Sequence, residues 1–285
     1  MKTIGLAALP ETYENYIWVL YEEAANASSE TGQAWVVDPG ESEPVLGFLK
    51  EHHLSLQAIL ITHGHHDHIS GVEDLKAAFP QVTVYGPKVA NLPLADVHVE
   101  EGDKITLTDT LTLKVLNTPG HTQDHIAYLS DADSKMLFCG DTLFTAGCGR
   151  LFTGTFAQFA ESILKLRELA DDTKFYCAHE YTMSNLKFAW LVEPENAALR
   201  QRIRDTHINY PQPWQGAQSS LGLEKATNPF MRFDTPSIRS KLIERGAQDT
   251  PESLFKTLRL WKDELDQSGA LNQVDLSGVP EHTTF

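Results

Sequence analysis

Residues 58–71 read AILITHGHHDHISG, and four of the chain's twelve histidines, His63, His65, His66 and His68, fall within six residues of that stretch, with Asp67 among them. The β-branched run ahead of the cluster predicts a buried strand, and a helical pattern opens near Ser70, which reads as an N-cap. The cluster therefore lies on a strand-to-helix turn. Residues two apart in an extended turn point to one side, which lets His63 and His65 converge on one cation. Asp67 and His68, being neighbours, diverge from that pair and suit a second cation beside the first, while His66 points elsewhere. Four imidazoles and a carboxylate at this spacing form neither a helical nor a strand face. Burying them is costly unless a metal pairs the donors.

The rest of the chain supplies further donors in a repeated context. LTLKVLNTPGH places His121 after a strand and a Pro-Gly turn, KMLFCGD places Asp141 at the end of an apolar run, and KFYCAH does the same for His179. Taken singly, each is ordinarily a capped turn or a satisfied polar group. Together with the cluster they put N or O donors at the carboxyl ends of four strands, the sheet edge where α/β proteins gather their sites. Seven ligands are too few for two closed sites unless one is shared and solvent fills the open positions, as in catalytic metal centres. His125, four residues after His121, reads as core packing or, alternatively, as a support for a ligand, and His52 and His53 read as partners of a helix C-terminus. Asp38, after the QAWVV strand, either braces a ligand or serves the DPG turn.

Composition sets the frame. At ~150 residues per domain, 285 residues allow about two domains. Hydrophobic residues at 41% and charged residues at 22% exclude disordered and membrane-embedded classes, and no apolar run reaches the ~18 to 20 residues of a spanning helix. MKTIGLAALPETYEN is interrupted by Pro10 and Glu11, too soon for a signal peptide, so a cytoplasmic protein is expected. With 23 basic and 39 acidic residues, the net charge of −16 disfavours nucleic acid and anionic membranes as partners. Cys139, Cys148 and Cys177 form no CxxC pair and read as buried thiols in a reducing compartment, with a reactive Cys148 in the glycine-flanked AGCGR stretch as the alternative.

Short β-rich runs alternate with amphipathic stretches to about residue 180, which predicts a mixed α/β layer domain over 1–180. LKFAWLVEPENAALRQRIRDTHINY and SLFKTLRLWKDELDQ predict a smaller helical domain over 181–285, with a connection from Pro211 to Gly222. The polar stretch from Gly269 to Phe285 has no period and is expected to fray.

HGHHDH at 63–68, TPGHT at 118–122, CGDTLF at 139–144 and CAHEYT at 177–182 resemble the metallo-β-lactamase superfamily. AGCGRLF at 146–152, HEYT, NPFMR at 228–232 and the basic pair in LRLWKDEL resemble, more narrowly, the glyoxalase II or hydroxyacylglutathione hydrolase family. The resemblance covers almost the whole chain apart from the polar tail. It implies a four-layer αβ/βα sandwich with a helical C-terminal domain. It also implies two divalent metal ions, zinc by expectation, with iron or manganese accepted by the same donors. Carried over by position, His63, His65 and His121 hold the first metal, Asp67, His68 and His179 the second, and Asp141 bridges them, with Asp67 and Asp141 orienting the attacking water. The implied reaction is hydrolysis of the thioester of S-(2-hydroxyacyl)glutathione, typically S-D-lactoylglutathione, to glutathione and D-lactate, the second step of methylglyoxal detoxification.

Arg150, Tyr181, Arg259 and Lys262 are the substrate contacts the resemblance selects. Arg259 and Lys262 are three apart on a predicted helix and so share a face. Family members often carry Tyr two residues after the basic residue of GCGR; here that position is Phe152. A monomer is expected. Other readings within the superfamily are a lactonase, a β-lactamase or a glutathione persulfide dioxygenase. The second-site set and the C-terminal cations weigh against them, the acidic charge weighs against a nuclease, and solvent-open ligand positions weigh against a metal store.

Overall fold

The computed structural model describes residues 5–10, 15–24, 31–88, 92–131, 135–209, 218–277 and 279. The chain divides into two compact units, Met1–Asn117 with Asp124–Gly140, and Thr118–Gln123 with Asp141–Phe285.

The first unit begins with β1 (Gly5–Pro10), β2 (Tyr16–Glu22), β3 (Gly32–Val37), α1 (Glu43–Glu51) and β4 (Leu54–Leu60). After β4 come α2 (His66–Ile69), α3 (Val72–Ala78), β5 (Thr83–Pro87) and β6 (Val97–Val99). The six strands form one mixed sheet in sequence order, antiparallel across β1 to β3 and parallel from β3 to β6. Parallel strands buried on both faces read as continuous apolar runs, which is why Ala58 to Ile61 has no polar alternation. Helix α1 buries Val45 and Leu49 and α3 buries Val72 and Leu75 in a cluster with Ile17, Val19, Ala34, Val36 and Ile59 of the sheet. Because β3 and β4 are parallel, the residues following them, Asp38 and Thr62, emerge at one edge.

Strands β7 (Lys104–Thr108), β8 (Leu111–Asn117), β9 (Ile126–Ser130) and β10 (Met136–Gly140) complete this unit as an antiparallel meander. Tyr128 of β9 is buried and its hydroxyl donates to the Ile61 carbonyl at 2.7 Å, while the Ile126 amide donates to the Thr62 carbonyl at 3.0 Å. Burial, reinforced by the charge of Asp38, holds the Tyr128 phenol well above its ordinary range, so it remains a donor.

The helix after the histidine cluster departs from expectation. Ser70 does not cap its start; α2 already begins at His66, and Ser70 closes the turn from behind, its amide 3.0 Å from the His66 carbonyl. A four-residue helix is too short to leave a periodic signal. Gly71 is the N-cap of α3, at a position closed to a side chain because a Cβ there would lie 2.6 Å from the Glu41 carbonyl carbon and 2.8 Å from the Pro39 oxygen.

The second unit contains the two-residue strands β11 (Leu143–Phe144) and β12 (Gly147–Cys148), which pair as a hairpin, followed by α4 (Phe156–Arg167), whose capping box joins Thr155 and Gln158. Next come β13 (Lys174–Cys177), α5 (Thr182–Val192), α6 (Ala197–Asn209) and β14 (Gln218–Ser220), the last antiparallel to β13. The unit ends with α7 (Leu221–Thr227), α8 (Pro236–Glu244) and α9 (Pro251–Ser268), and with 3-10 turns at Pro229–Met231 and Ala270–Gln273. The long helical stretch expected after residue 185 breaks into α5 and α6 at Pro194, which disfavours helix at the residue before it.

Residues 211–217 of the expected connection lie outside the described residues, and its remainder is β14 and the start of α7. The expected fraying of the tail is corrected over residues 269–277 and 279. Leu271, Leu276 and Val279 are buried, the last two in a cluster with Ala146, Leu186, Leu199 and Ile203. The rest of the tail lies outside the described residues. Among the described residues no helix is long and apolar enough to cross a membrane, and all three cysteines are buried thiols.

Candidate metal centre

The first unit presents its donors on the segment that follows β4. His63 and His68 are buried, His65 is half-buried, the Asp67 side chain is 37% exposed and His66 is exposed. The His63 and His65 rings lie 4.6 Å apart, as alternate positions of an extended turn require. His68 was expected to diverge from that pair. The helical turn of α2 packs its ring 4.1 Å from that of His63, while its donor atom groups with Asp67, its Nε2 3.9 Å from Asp67 Oδ2, and not with the His63 and His65 pair.

Asp38 orders this group. Its carboxylate accepts from the Thr62 amide at 2.7 Å and from the Thr62 hydroxyl at 2.6 Å, and lies 3.0 Å from Nδ1 of His68. Since the single Thr62 hydroxyl proton goes to Asp38, the Thr62 oxygen accepts from Nδ1 of His63 at 3.1 Å. Both imidazoles thus hold their proton on Nδ1 and leave the Nε2 lone pair available to a cation. Of the two readings of Asp38, the brace is the one its contacts support. Asn15, which no motif marks, donates its side-chain amide to the Asp67 carbonyl at 3.0 Å and to Asp67 Oδ2 at 3.3 Å. His125 stacks on His63 with centroids 4.8 Å apart, packing directly behind a donor ring.

The second unit holds a second donor set, His121, Asp141 and His179, each no more than 5% exposed. Nε2 of His121 lies 3.2 Å from Asp141 Oδ2, and Nε2 of His179 lies 3.3 Å from Asp141 Oδ1. Nδ1 of His121 donates to the Arg150 carbonyl at 2.8 Å. With Nδ1 committed to the Arg150 carbonyl, His121 turns Nε2 to a carboxylate oxygen, and a divalent cation held between the two would satisfy both. The donor chemistry accordingly fits divalent metal. Gly149 makes the hairpin possible, since a Cβ there would stand 2.1 Å from the Asp141 carbonyl oxygen and 3.0 Å from Nδ1 of His121. Tyr181, 39% exposed, stacks on His179 at 5.1 Å, and Phe152 meets His121 edge-on at 5.0 Å.

The structure gathers the expected substrate cations around α9 but gives each an acidic neighbour. Arg259 is 2% exposed, donates to the Cys148 carbonyl at 3.0 Å and pairs with Asp263 at 3.1 Å. Lys262 pairs with Asp266 at 2.6 Å and donates to Ser184 at 3.2 Å; burial pulls its pKa below the ordinary lysine value against the opposing effect of Asp266. Arg150, with a side chain 60% exposed, lies 3.9 Å from Asp263 and 3.8 Å from Asp266. Three cations against two carboxylates leave this cluster one positive charge in excess. Burial pushes Cys148 up to about 11, although Arg259 opposes it, and pushes Cys177 up to about 12, so neither thiol is a nucleophile near neutral pH.

Residues 29–179 match the family model for the metallo-beta-lactamase superfamily, and residues 180–265 match the one for the hydroxyacylglutathione hydrolase C-terminus. The chain is 42% identical to the hydroxyacylglutathione hydrolase of Hydrogenovibrio crunogenus over 273 residues, covering 95% of this chain and 98% of that protein. It is 43% identical to the hydroxyacylglutathione hydrolase of Vibrio parahaemolyticus over 265 residues, covering 92% and 99%. Among solved structures, ETHE1 from Myxococcus xanthus superposes with a TM-score of 0.58 at 24% identity, over 90% of this chain and 98% of that one. A metallo-beta-lactamase from Staphylococcus aureus superposes with a TM-score of 0.60 at 20% identity, over 91% and 72%. These two likenesses bear on fold alone, and the fold is that of the metallo-β-lactamases, α/β, followed by a helical C-terminal region.

Proposed function

The chain belongs to the hydroxyacylglutathione hydrolase family of the metallo-β-lactamase superfamily, and from that premise we propose that it hydrolyses S-(2-hydroxyacyl)glutathione thioesters, S-D-lactoylglutathione typically, to glutathione and the 2-hydroxy acid. In this reading His63, His65 and His121 hold one divalent cation, Asp67, His68 and His179 hold a second, and Asp141 is shared. The observation that carries it is the placement of Asp141, whose two carboxylate oxygens each face a different imidazole, at 3.2 and 3.3 Å. Zinc is the metal proposed; the same imidazole and carboxylate donors accept iron or manganese.

When bound, such a pair of cations supplies Lewis acidity, which brings the pKa of water from ~15.7 towards ~7. The protein's own part is to hold and orient. Asp141 and Asp67 accept hydrogen bonds from the attacking water and aim its lone pair at the thioester carbon, and Asn15 fixes Asp67 for that task. Addition to the carbonyl is followed by loss of the glutathione thiolate, a good leaving group, so no strong general acid is needed. Tyr181 offers a hydroxyl donor beside His179. Arg150, Arg259 and Lys262, with their excess positive charge, meet the carboxylates of glutathione, and residues 181–285 act as the glutathione-binding domain. Three buried cysteines that remain thiols support a reducing, cytoplasmic setting, and we read the chain as a monomer.

The test is a parallel assay of S-D-lactoylglutathione, a simple lactone, a β-lactam and glutathione persulfide, the last followed by oxygen uptake. Turnover concentrated on the thioester is expected. Preferential lactone or β-lactam cleavage, or oxygen consumption with persulfide, would replace this reading with another superfamily chemistry.

A further inference from the structure

Glu224 of α7 is fully buried and lies outside the ligand set, yet four donors converge on its carboxylate. One oxygen accepts from the Ala146 amide and from the Asn228 side-chain amide, both at 2.9 Å; the other accepts from the Ser219 hydroxyl at 2.7 Å and from the Arg202 guanidinium. Arg202 is itself buried and also donates to the Thr227 hydroxyl at 2.6 Å. Asn228 reaches further, donating to the Gly147 carbonyl at 3.0 Å and the Phe144 carbonyl at 3.3 Å, and Asn185 takes the Thr145 carbonyl at 3.0 Å. Side chains from α5, α7 and Asn228 therefore hold every residue of the tip of the β11–β12 hairpin.

That tip is strained. Ala146 has φ 58°, in the left-handed region that a residue with a Cβ occupies only where its surroundings over-determine it. The two ends of the same hairpin carry chemistry. Asp141 precedes it, and Arg150, whose carbonyl fixes the Nδ1 proton of His121, follows it. Gly149, closely applied to both Asp141 and His121, leaves no slack between tip and ends.

We propose that Glu224 is a positioning residue: by clamping the Ala146 turn it sets the register of the hairpin, and through it the placement of the Arg150 carbonyl and the Asp141 carboxylate against His121. This rests on the hydrolase reading above. Glu224→Gln keeps the shape but offers one acceptor oxygen where four donors converge. For a glutathione thioester kcat falls about tenfold or more with KM within about twofold, and metal retention against a competing chelator falls by a similar factor. The double variant Glu224→Gln/Arg202→Met also removes the guanidinium that the single variant strands. Its melting midpoint recovers, while kcat and metal retention stay low because the turn is still unclamped.

Recovery of kcat together with the midpoint would overturn the proposal and leave the network a role in stability alone. Glu224→Gln with wild-type kcat and metal retention would overturn it equally. Should Glu224→Gln fail to fold, Asn228→Ser, which keeps the Arg202 pairing and the Ala146 contact of Glu224 but removes the amide shared by Glu224 and the Phe144 and Gly147 carbonyls, carries the same expectation, and wild-type values there refute it. Wild-type turnover tests the hydrolase reading separately, and the retention ratio tests the clamp without any substrate.

Discussion

Asp38 lies 3.0 Å from Nδ1 of His68 while its backbone sits at φ 49°, so one buried carboxylate in a left-handed turn sets the tautomer of a candidate ligand on the next strand's loop. Asp and Asn are the side chains that tolerate this backbone best. Asp38→Asn should therefore fold, but it loses the anion that holds the Nδ1 protons of His68 and, through Thr62, His63. Metal affinity is expected to fall about 10- to 100-fold, measured by chelator competition, with the melting midpoint little changed. An unchanged affinity would reduce Asp38 to a turn residue.

The tight fit of Gly149 sets a steric prediction. Gly149→Ala places a methyl group 2.1 Å from the Asp141 carbonyl oxygen, so the backbone must shift where His121 and Asp141 meet. Destabilisation of about 1–3 kcal/mol is expected together with loss of bound metal, read by calorimetry and metal analysis.

These features show how far the sequence could be read. His63, His121, Asp141 and His179 were legible because each follows an apolar strand, and a strand's end is a position that hydrophobic pattern reveals. Asn15 was not, because its contact with Asp67 spans 52 positions and depends on how the sheet is ordered. The onset of α2 at His66 escaped because a single turn has no period. The pairing of Arg259 with Asp263 and of Lys262 with Asp266 lay in plain view at i, i+4, but only the fold shows that this face of α9 is buried. Leu276 and Val279 are too sparse to form a pattern and take their meaning from the cluster they join.

Glu193 gives the second unit an acid-sensitive joint. Burial alone would raise its pKa, but hydrogen bonds from Arg232, Ser237 and Asn196 outweigh it and leave the carboxyl below its ordinary value. A depressed folded pKa means that the stabilisation is fully present above the unfolded glutamate value of about 4.3 and is lost as pH falls through the folded pKa. Wild-type melting midpoints should drop more steeply below about pH 5 than those of Glu193→Gln, which lacks that titration. Parallel curves would contradict this role.

The α9 cations make a prediction about substrate size. Lys262→Gln should raise KM for a glutathione thioester about tenfold with kcat nearly unchanged, and leave a short thioester lacking the glutathione carboxylates unaffected. An equal effect on both substrates would mean that Lys262 serves only the α9 packing it shares with Asp266 and Ser184.

Because Cys139, Cys148 and Cys177 are buried, and burial pushes Cys148 up to about 11 and Cys177 up to about 12, iodoacetamide at pH 8 should neither label the native protein nor inhibit it. Stoichiometric labelling with loss of activity would bring a thiol into the mechanism.

The proposed sharing of Asp141 between two cations admits the most direct measurement, metal content per chain for the wild type and for Asp141→Ala, taken with S-D-lactoylglutathione turnover on the same samples. Two equivalents of divalent metal in the wild type, with at most one retained and turnover reduced by about 100-fold or more in the variant, is the predicted result. Two equivalents and full turnover in Asp141→Ala would contradict it.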